Sequence, residues 1–326
     1  MWAMTCDGSG GTEVLQWREV PDVDPAVDEI TLDVVAAGVN RADLLQRQGL
    51  YPPPPGESDI LGLECSGVVA AVGRDVAGWA VGDSACALLA GGGYAERVRV
   101  PAGQAMPIPA GVDLVSAAAL PEVGATVYSN LVLVAGLAAG DWLLIHGGGS
   151  GIGTFAIQYA RTIGARVAVT AGSAEKLEVC RELGAEVLIN YREQDFAAEL
   201  REATAGHGAD VILDIIGAAY LDANVRALAV GGRLVVIGLQ GGVKGELNLG
   251  RLLSVRGTIS ATSLRSRSRA EKSAICSGLV ESVWPLIANR RIRPVIGTTY
   301  AFARAADAHE DLAAGVHVGK LVLTRG

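Results

Sequence analysis

The chain has 326 residues, 43 of them glycine, with 50% hydrophobic and 19% charged residues and a formal net charge of −8. That composition suits a globular protein with room for two domains and excludes a disordered chain. A pI near 5.1, with no long basic run, excludes nucleic acid as an expected partner. No apolar segment of membrane-spanning length and no signal-peptide pattern are read in the chain, so a cytoplasmic protein with no membrane partner is expected.

Up to about Pro121, short runs such as 29–36 and 96–100 lie between Gly and Pro punctuation and predict an all-β unit. Within it, Pro52 to Pro55 followed by Gly56 predicts a stiff loop. Beyond Asp141 the rhythm changes. Strands are predicted at 142–146, 166–170, 186–190, 211–215, 233–239 and 258–262, with helices at 152–163, 174–183, 195–203, 219–227 and 249–253. Strands alternating with helices give a parallel sheet with right-handed crossovers, a Rossmann-type α/β domain. A long helix follows from 269 to about 284, where Pro285 disfavours continuation. The closing strand, 320–324, is expected to return to the N-terminal unit. The expected division is therefore a discontinuous β-rich domain, 1–121 with 266–326, around a Rossmann-type domain, 122–265.

The most informative stretch is His146 to Ala160. An apolar strand feeds Gly147, Gly148, Gly149, Gly151 and Gly153, and a helical period begins. Backbone without Cβ lets a pyrophosphate approach, and the N–H groups opening the helix face its charge. Gly149, Ser150, Gly151 and Ile152 are the candidate cofactor contacts. The spacing Gly148-x-x-Gly151-x-Gly153 differs from G-x-G-x-x-G, so the reading rests on the strand before and helix after; the alternative is a flexible glycine-rich loop.

A site preferring NAD usually ends its second strand with an acid for the ribose 2′-OH. Here Thr170 is followed by Ala171-Gly172-Ser173-Ala174-Glu175-Lys176, with no acid at the tip. A 2′-phosphate could sit on the helix N-terminus with Ser173 and Lys176, which favours NADPH. Glu175 would repel that phosphate unless turned outward. Ser173 also reads as a plain N-cap and Lys176 as a solvated side chain.

Five scattered cysteines without C-x-x-C spacing read as reduced structural thiols. The four histidines lack ligand spacing and read as surface or loop residues, so no metal is expected.

Several segments together resemble the medium-chain dehydrogenase/reductase superfamily, and most closely its zinc-free, zeta-crystallin-like NADPH:quinone oxidoreductase branch. They are GVNRADLLQRQGLYPPPPG (Gly38–Gly56), ILGLECSGVVAAVG (Ile60–Gly73), GDSACALLAGGGYAERVRVP (Gly82–Pro101), LIHGGGSGIGTFAIQ (Leu144–Gln158), TAGSAEKL (Thr170–Leu177), INY (Ile189–Tyr191), SLRSR (Ser263–Arg267) and GKLVL (Gly319–Leu323). The segments around Asn40–Gly56 and Ser263–Arg267 are similar to the tumour-suppressor-inducible quinone oxidoreductase group. The resemblance implies a GroES-like fold for the β-rich domain. Zinc-dependent relatives carry Gly-His-Glu where this chain has Gly62-Leu63-Glu64, and a cysteine near Val39-Asn40-Arg41, where this chain has none. Without thiolate or imidazole there is no Lewis acid to ionise an alcohol.

The resemblance implies zinc-independent, NADPH-dependent reduction of a small-molecule quinone, by hydride or one-electron transfer, in a cleft between the two domains. It places Tyr51 and Asn40 beside the nicotinamide, with Thr126 and Tyr128 nearby. Tyr51 would donate to a developing oxyanion or contact the nicotinamide carboxamide; it also reads as an aromatic packed on the proline loop, and Asn40 as a turn residue. Asp43 is read as orienting the loop. Further cofactor contacts are implied at Gly172, Ser173, Lys176 and Tyr191, then at Asn224, Gly238, Leu239 and Gly241, with Ser263, Leu264 and Lys320 closing the site. The related group has a bulky aromatic where Val123-Gly124 stands here, which suggests a wider pocket. Two alternatives remain: an enoyl or alkenal C=C reductase with Tyr51 as proton donor, and a non-enzymatic, crystallin-like NADPH-binding protein. A sheet edge at 258–262 and the resemblance together lead to a homodimer.

Overall fold

Two strands open the chain, β1 (Trp2–Cys6) and β2 (Leu15–Glu19), paired antiparallel. Next comes β3 (Glu29–Val39), whose apolar run is buried along almost its whole length, as a central strand requires. A helix, α1 (Arg41–Arg47), follows at once, so the N-terminal region is not all-β. Its signal is local. Asn40 is the N-cap and Asp43, three residues on, closes a capping box. The strands β4 (Glu64–Val72), β5 (Ser84–Leu88), β6 (Arg97–Pro101) and β7 (Ala105–Pro107) continue the sheet.

Short helices α2 (Leu114–Ala117) and α3 (Pro121–Val127) run into a π-helical stretch, Tyr128–Val134. This corrects one expectation. The segment Leu114–Val134 spans 21 residues with mean hydropathy 1.3, long and apolar enough by length and composition to cross a membrane. Its window is 72% buried inside the protein, as a core helix is.

The alternating region then supplies β8 (Trp142–His146), α4 (Gly151–Ile163), β9 (Arg166–Ala171), α5 (Ala174–Leu183), β10 (Val187–Asn190) and α6 (Phe196–Ala203). It continues with β11 (Ala209–Asp214), α7 (Leu221–Ala227), β12 (Leu228–Val236), α8 (Leu249–Ser254) and β13 (Thr258–Ala261). The chain ends with α9 (Arg269–Ser282), α10 (Trp284–Ala288), β14 (Ile296–Ala301), α11 (Ala305–Ala314) and β15 (Lys320–Thr324). As Pro285 demands, α9 stops at Ser282; the proline lies in the first turn of α10. Strand β12 starts five residues before the expected 233, and its register against β11 shifts over the Gly231-Gly232 pair, from Leu228 opposite Ala209 to Arg233 opposite Val211.

The computed structural model describes residues 1–325, and the chain divides into two units, 1–125 with 264–290 and 294–326, and 126–263 with 291–293. The first holds a seven-stranded sheet of order β14-β15-β3-β4-β5-β7, with β6 also on β3. The last strand lies antiparallel to β3, from Leu321 opposite Val39 to Thr324 opposite Ala36. That pairing is what makes the unit discontinuous. Its core contains Leu32, Val34, Leu61, Val69, Tyr94 and Leu321.

The second unit is a parallel sheet of order β10-β9-β8-β11-β12-β13. In chain order this is 3-2-1-4-5-6, the doubly wound arrangement. Leu144, Ala168, Ile212 and Leu234 from four strands pack with Phe196 and Leu200 of α6.

Candidate functional site

In a doubly wound sheet, ligands bind beyond the carboxyl ends of the strands, where the strand order reverses. Here that point lies between β8 and β11. The turn leaving β8 begins at Gly147, at φ +73°. A Cβ on Gly153 would stand 2.4 Å from the Gly147 carbonyl oxygen and 2.5 Å from that of Gly148. Only glycine lets α4 start so close to its own turn. Ser150 caps α4 by accepting from the Gly153 N–H at 3.0 Å, leaving Gly149, Ser150, Gly151 and Ile152 at the helix N-terminus as expected.

Beneath this turn is a polar chain that the sequence did not announce. His146, the last residue of β8, is buried, with Nδ1 3.0 Å from Thr170 Oγ1 and Nε2 2.7 Å from Asn224 Oδ1. Asn224 Nδ2 donates to Asp214 Oδ2 at 3.1 Å, and Asp214 also accepts from the N–H groups of Ile216 and Gly217. Since Asn224 offers its carbonyl to His146, Nε2 carries the ring proton. Burial pushes His146 down to about 4, so the ring is neutral. This corrects one expectation: His146 is a core residue, not a surface one. Asn224 is fully buried, with both ends of its amide engaged beneath the turn.

The tip of β9 carries the cations. Ser173 caps α5, accepting from the Lys176 N–H at 3.4 Å. The Lys176 stem covers Gly149, where a Cβ would come within 3.3 Å of its Cδ. A Cβ on Gly172 would lie 2.7 Å from the Tyr191 hydroxyl and 3.2 Å from Arg192 Nε. Burial, and then the charge of Arg192, hold the Lys176 ammonium below its ordinary value. Arg192 was missed in the sequence; the signal was a second cation directly after Tyr191, at the tip of the third strand. Glu175 is exposed, and bonds from its own N–H and from the Ser173 hydroxyl hold it below the usual carboxylate range.

At the far strands, Gly238, Leu239 and Gly241 form the loop after β12. A Cβ on Gly238 would meet the Ile215 carbonyl oxygen at 2.7 Å, and Leu239 is 53% exposed. Ser263 is exposed beyond β13. Thr126 is buried in α3; its carbonyl accepts from Asn130 Nδ2 at 2.8 Å, while Asn130 Oδ1 accepts from Thr262 Oγ1 at 2.6 Å. Asn130, a second missed residue, thus ties α3 to the end of β13.

In the other unit, Asn40 is engaged from both sides. Its Nδ2 donates to Glu64 Oε1 at 2.9 Å, and its Oδ1 accepts from Lys320 Nζ at 2.7 Å. Lys320 is buried against Glu64 at 2.5 Å and also donates to the Val39 carbonyl. Through these partners Asn40 and Lys320 hold the start of α1 and the chain leading to Tyr51. Asp43 accepts from the N–H groups of Asn40 and Gly62 and from the Tyr94 hydroxyl, which orients the loop. Burial raises Asp43 to about 6. The Tyr94 hydroxyl lies 3.3 Å from Nε2 of His309, a second core histidine that burial lowers to about 3. Tyr51 and Leu264 are half-buried. At Gly124, Leu279 of α9 packs close, with Cδ2 3.0 Å from where a Cβ would be. The cysteines are free thiols, and burial pushes Cys180 and Cys276 to about 12.

Residues 26–110 match the alcohol dehydrogenase GroES-like domain family, and residues 151–276 the zinc-binding dehydrogenase family. The quinone oxidoreductase of Pseudomonas aeruginosa is 33% identical over 96% of this chain and 96% of its own. The chain belongs to the medium-chain dehydrogenase/reductase superfamily, in its quinone oxidoreductase branch. The structure of Escherichia coli quinone oxidoreductase complexed with NADPH superposes with a TM-score of 0.91 at 30% identity, covering 99% of this chain and 100% of that one. A phenolphthiocerol/phthiocerol polyketide synthase of Mycobacterium tuberculosis is 32% identical over 98% of this chain, which spans only 14% of that protein's length. One family description names zinc, but the residues here do not fit it. Asn40 has both amide ends occupied, Leu63 is a buried aliphatic side chain, and no group of three His, Cys, Asp or Glu side chains among the described residues could hold a metal ion.

Proposed function

We propose that this medium-chain oxidoreductase is an NADPH-dependent, zinc-independent quinone reductase. The observation that carries the cofactor choice is the tip of β9, where Ser173, Lys176 and Arg192 gather and no strand-end acid stands. When bound, NADPH would supply a hydride to an electrophile. The chain's own residues bind and orient. The α4 N-terminus and its glycine turn receive the pyrophosphate, and the β9 tip receives the 2′-phosphate. Tyr51 donates a hydrogen bond to the quinone oxygen that gains charge, and water protonates the product. A quinone is electrophilic enough that holding it in place does most of the work, without a Lewis acid.

A second reading, reduction of an activated C=C bond, is favoured by the match to a polyketide synthase over 98% of the chain. There the Tyr51 hydroxyl would protonate the carbon α to the carbonyl. The deciding experiment follows NADPH and NADH oxidation with 1,2- and 1,4-quinones and a 2-enoyl thioester, wild type beside Tyr51→Phe, with and without a zinc chelator. Chelator-resistant quinone turnover with NADPH that the variant only weakens is expected. Enoyl turnover abolished in the variant would replace this reading with the second.

We also propose a cytoplasmic homodimer formed along β13. This strand is at the edge of the six-stranded sheet, and the chain leading to it carries exposed Val243, Leu249 and Leu253, at 74%, 68% and 78%.

A further inference from the structure

Arg265, the third residue of the Ser263–Arg267 segment, is 4% exposed and sits just ahead of α9. No carboxylate among the described residues lies within ion-pair distance of it, so a salt bridge does not explain why a guanidinium is buried here. Its partners do. Nε donates to the Ala90 carbonyl at 2.8 Å, Nη1 to the Tyr51 carbonyl at 3.1 Å and Nη2 to Gln46 Oε1 at 2.7 Å. The guanidinium carbon also stands 5.3 Å from the centre of the Tyr51 ring, within cation–π range. One planar fork thus joins the last turn of α1, the Tyr51 loop and the chain leaving β5.

The loop needs such an anchor. Residues Pro52 to Pro55 have no N–H, so over four consecutive positions the backbone has nothing to donate. The Tyr51 carbonyl and ring are where a donor from outside the loop can grip it. We infer that Arg265 is the positioning residue for Tyr51: it fixes backbone and ring together, so that the hydroxyl is presented in one orientation. The inference rests on the role given to Tyr51 above. A lysine keeps the charge but is a single point donor that cannot reach three acceptors in the plane of a fork.

The test compares Arg265→Met, Arg265→Lys, Tyr51→Phe and the double variant Tyr51→Phe/Arg265→Met, with menadione as the quinone. In Arg265→Met, kcat should fall about as far as in Tyr51→Phe and no further, by roughly several- to tenfold, while NADPH affinity, measured by fluorescence titration, stays as in wild type. Arg265→Lys should be impaired nearly as much. In the Tyr51→Phe background, removing Arg265 should cost little more, because the two act as a unit. Hydrogen exchange should quicken at Gln46–Leu50 and Glu57 in both arginine variants and stay unchanged in the six-stranded sheet. If Arg265→Met does not fold, Arg265→Lys carries the exchange and kinetic comparison alone. Arg265→Lys behaving like the wild type, or an arginine effect equally large with and without the Tyr51 hydroxyl, would overturn the inference while leaving Tyr51 in place. A Tyr51→Phe enzyme as active as wild type would remove the role of Tyr51 and the inference with it.

Discussion

In the function proposed above, cofactor choice falls to a few residues at the tip of β9. Ser173 and Lys176 were legible because they follow an apolar strand and open a helix. Arg192 was not, because it reaches Gly172 only when β10 pairs beside β9. A charge-assisted bond to phosphate contributes about 1.5–3 kcal/mol, so Lys176→Ala and Arg192→Ala should each weaken NADPH binding by roughly ten- to a hundredfold and leave NADH binding nearly unchanged. Calorimetric titration with both cofactors checks this. Equal losses for both would mean that neither cation meets the 2′-phosphate. Glu175→Gln should move NADPH affinity the other way, since its carboxylate competes for the Ser173 hydroxyl.

For the elements, period and punctuation sufficed where a segment's environment was uniform. Helix α5 and strand β8 fall on their expected limits, one an amphipathic helix between a serine cap and a glycine stop, the other an apolar run ending at a glycine turn. Strand β12 was misjudged because two glycines look like a break, whereas here they mark a register shift and β11 pairs on both sides of it. Helix α1 hid in a β-rich stretch because its capping box is its main local signal. The tightest requirement is at the start of α4. Gly153→Ala would drive a methyl group into two carbonyl oxygens and should destabilise the protein by about 1–3 kcal/mol with loss of cofactor binding. Urea unfolding and NADPH titration together test it; a variant with wild-type stability and affinity would show that the turn can yield.

Across the protein as a whole, buried titratable groups link folding to pH. Burial, and then the charge of Glu64, raise Glu122 to about 8 from an ordinary value near 4.5. Between those values the folded chain holds a proton that the unfolded chain has lost. Its contribution is therefore complete below pH 4.5 and fades as pH rises through 8. His146 and His309 are lowered to about 4 and 3 from 6.5 and work in the opposite sense, their contribution complete above that ordinary value and lost as pH falls toward the lowered ones. Above about pH 7 Glu122 acts without them. The urea midpoint should drop between about pH 7 and 8.5 in wild type and flatten in Glu122→Gln; an unchanged slope in the variant would assign the drop to another group. Sedimentation should give a dimer for wild type and a monomer for Leu253→Lys, and a wild-type monomer would end the β13 interface.

The alternation that makes a parallel sheet, the return of β15 and the glycine turn could all be read from the chain alone, because each is written in neighbouring residues through period, caps and Cβ-free backbone. Tertiary structure decided which partners the polar residues have. Asn40, Lys320 and Asn224 carry the same functional groups whether free or engaged, and only the partners brought from distant segments, Glu64, His146 and Asp214, show that these side chains brace the fold. A hydrogen bond between residues far apart in the chain leaves no periodic trace in either segment, which is why the scaffold was legible and the wiring beneath it was not.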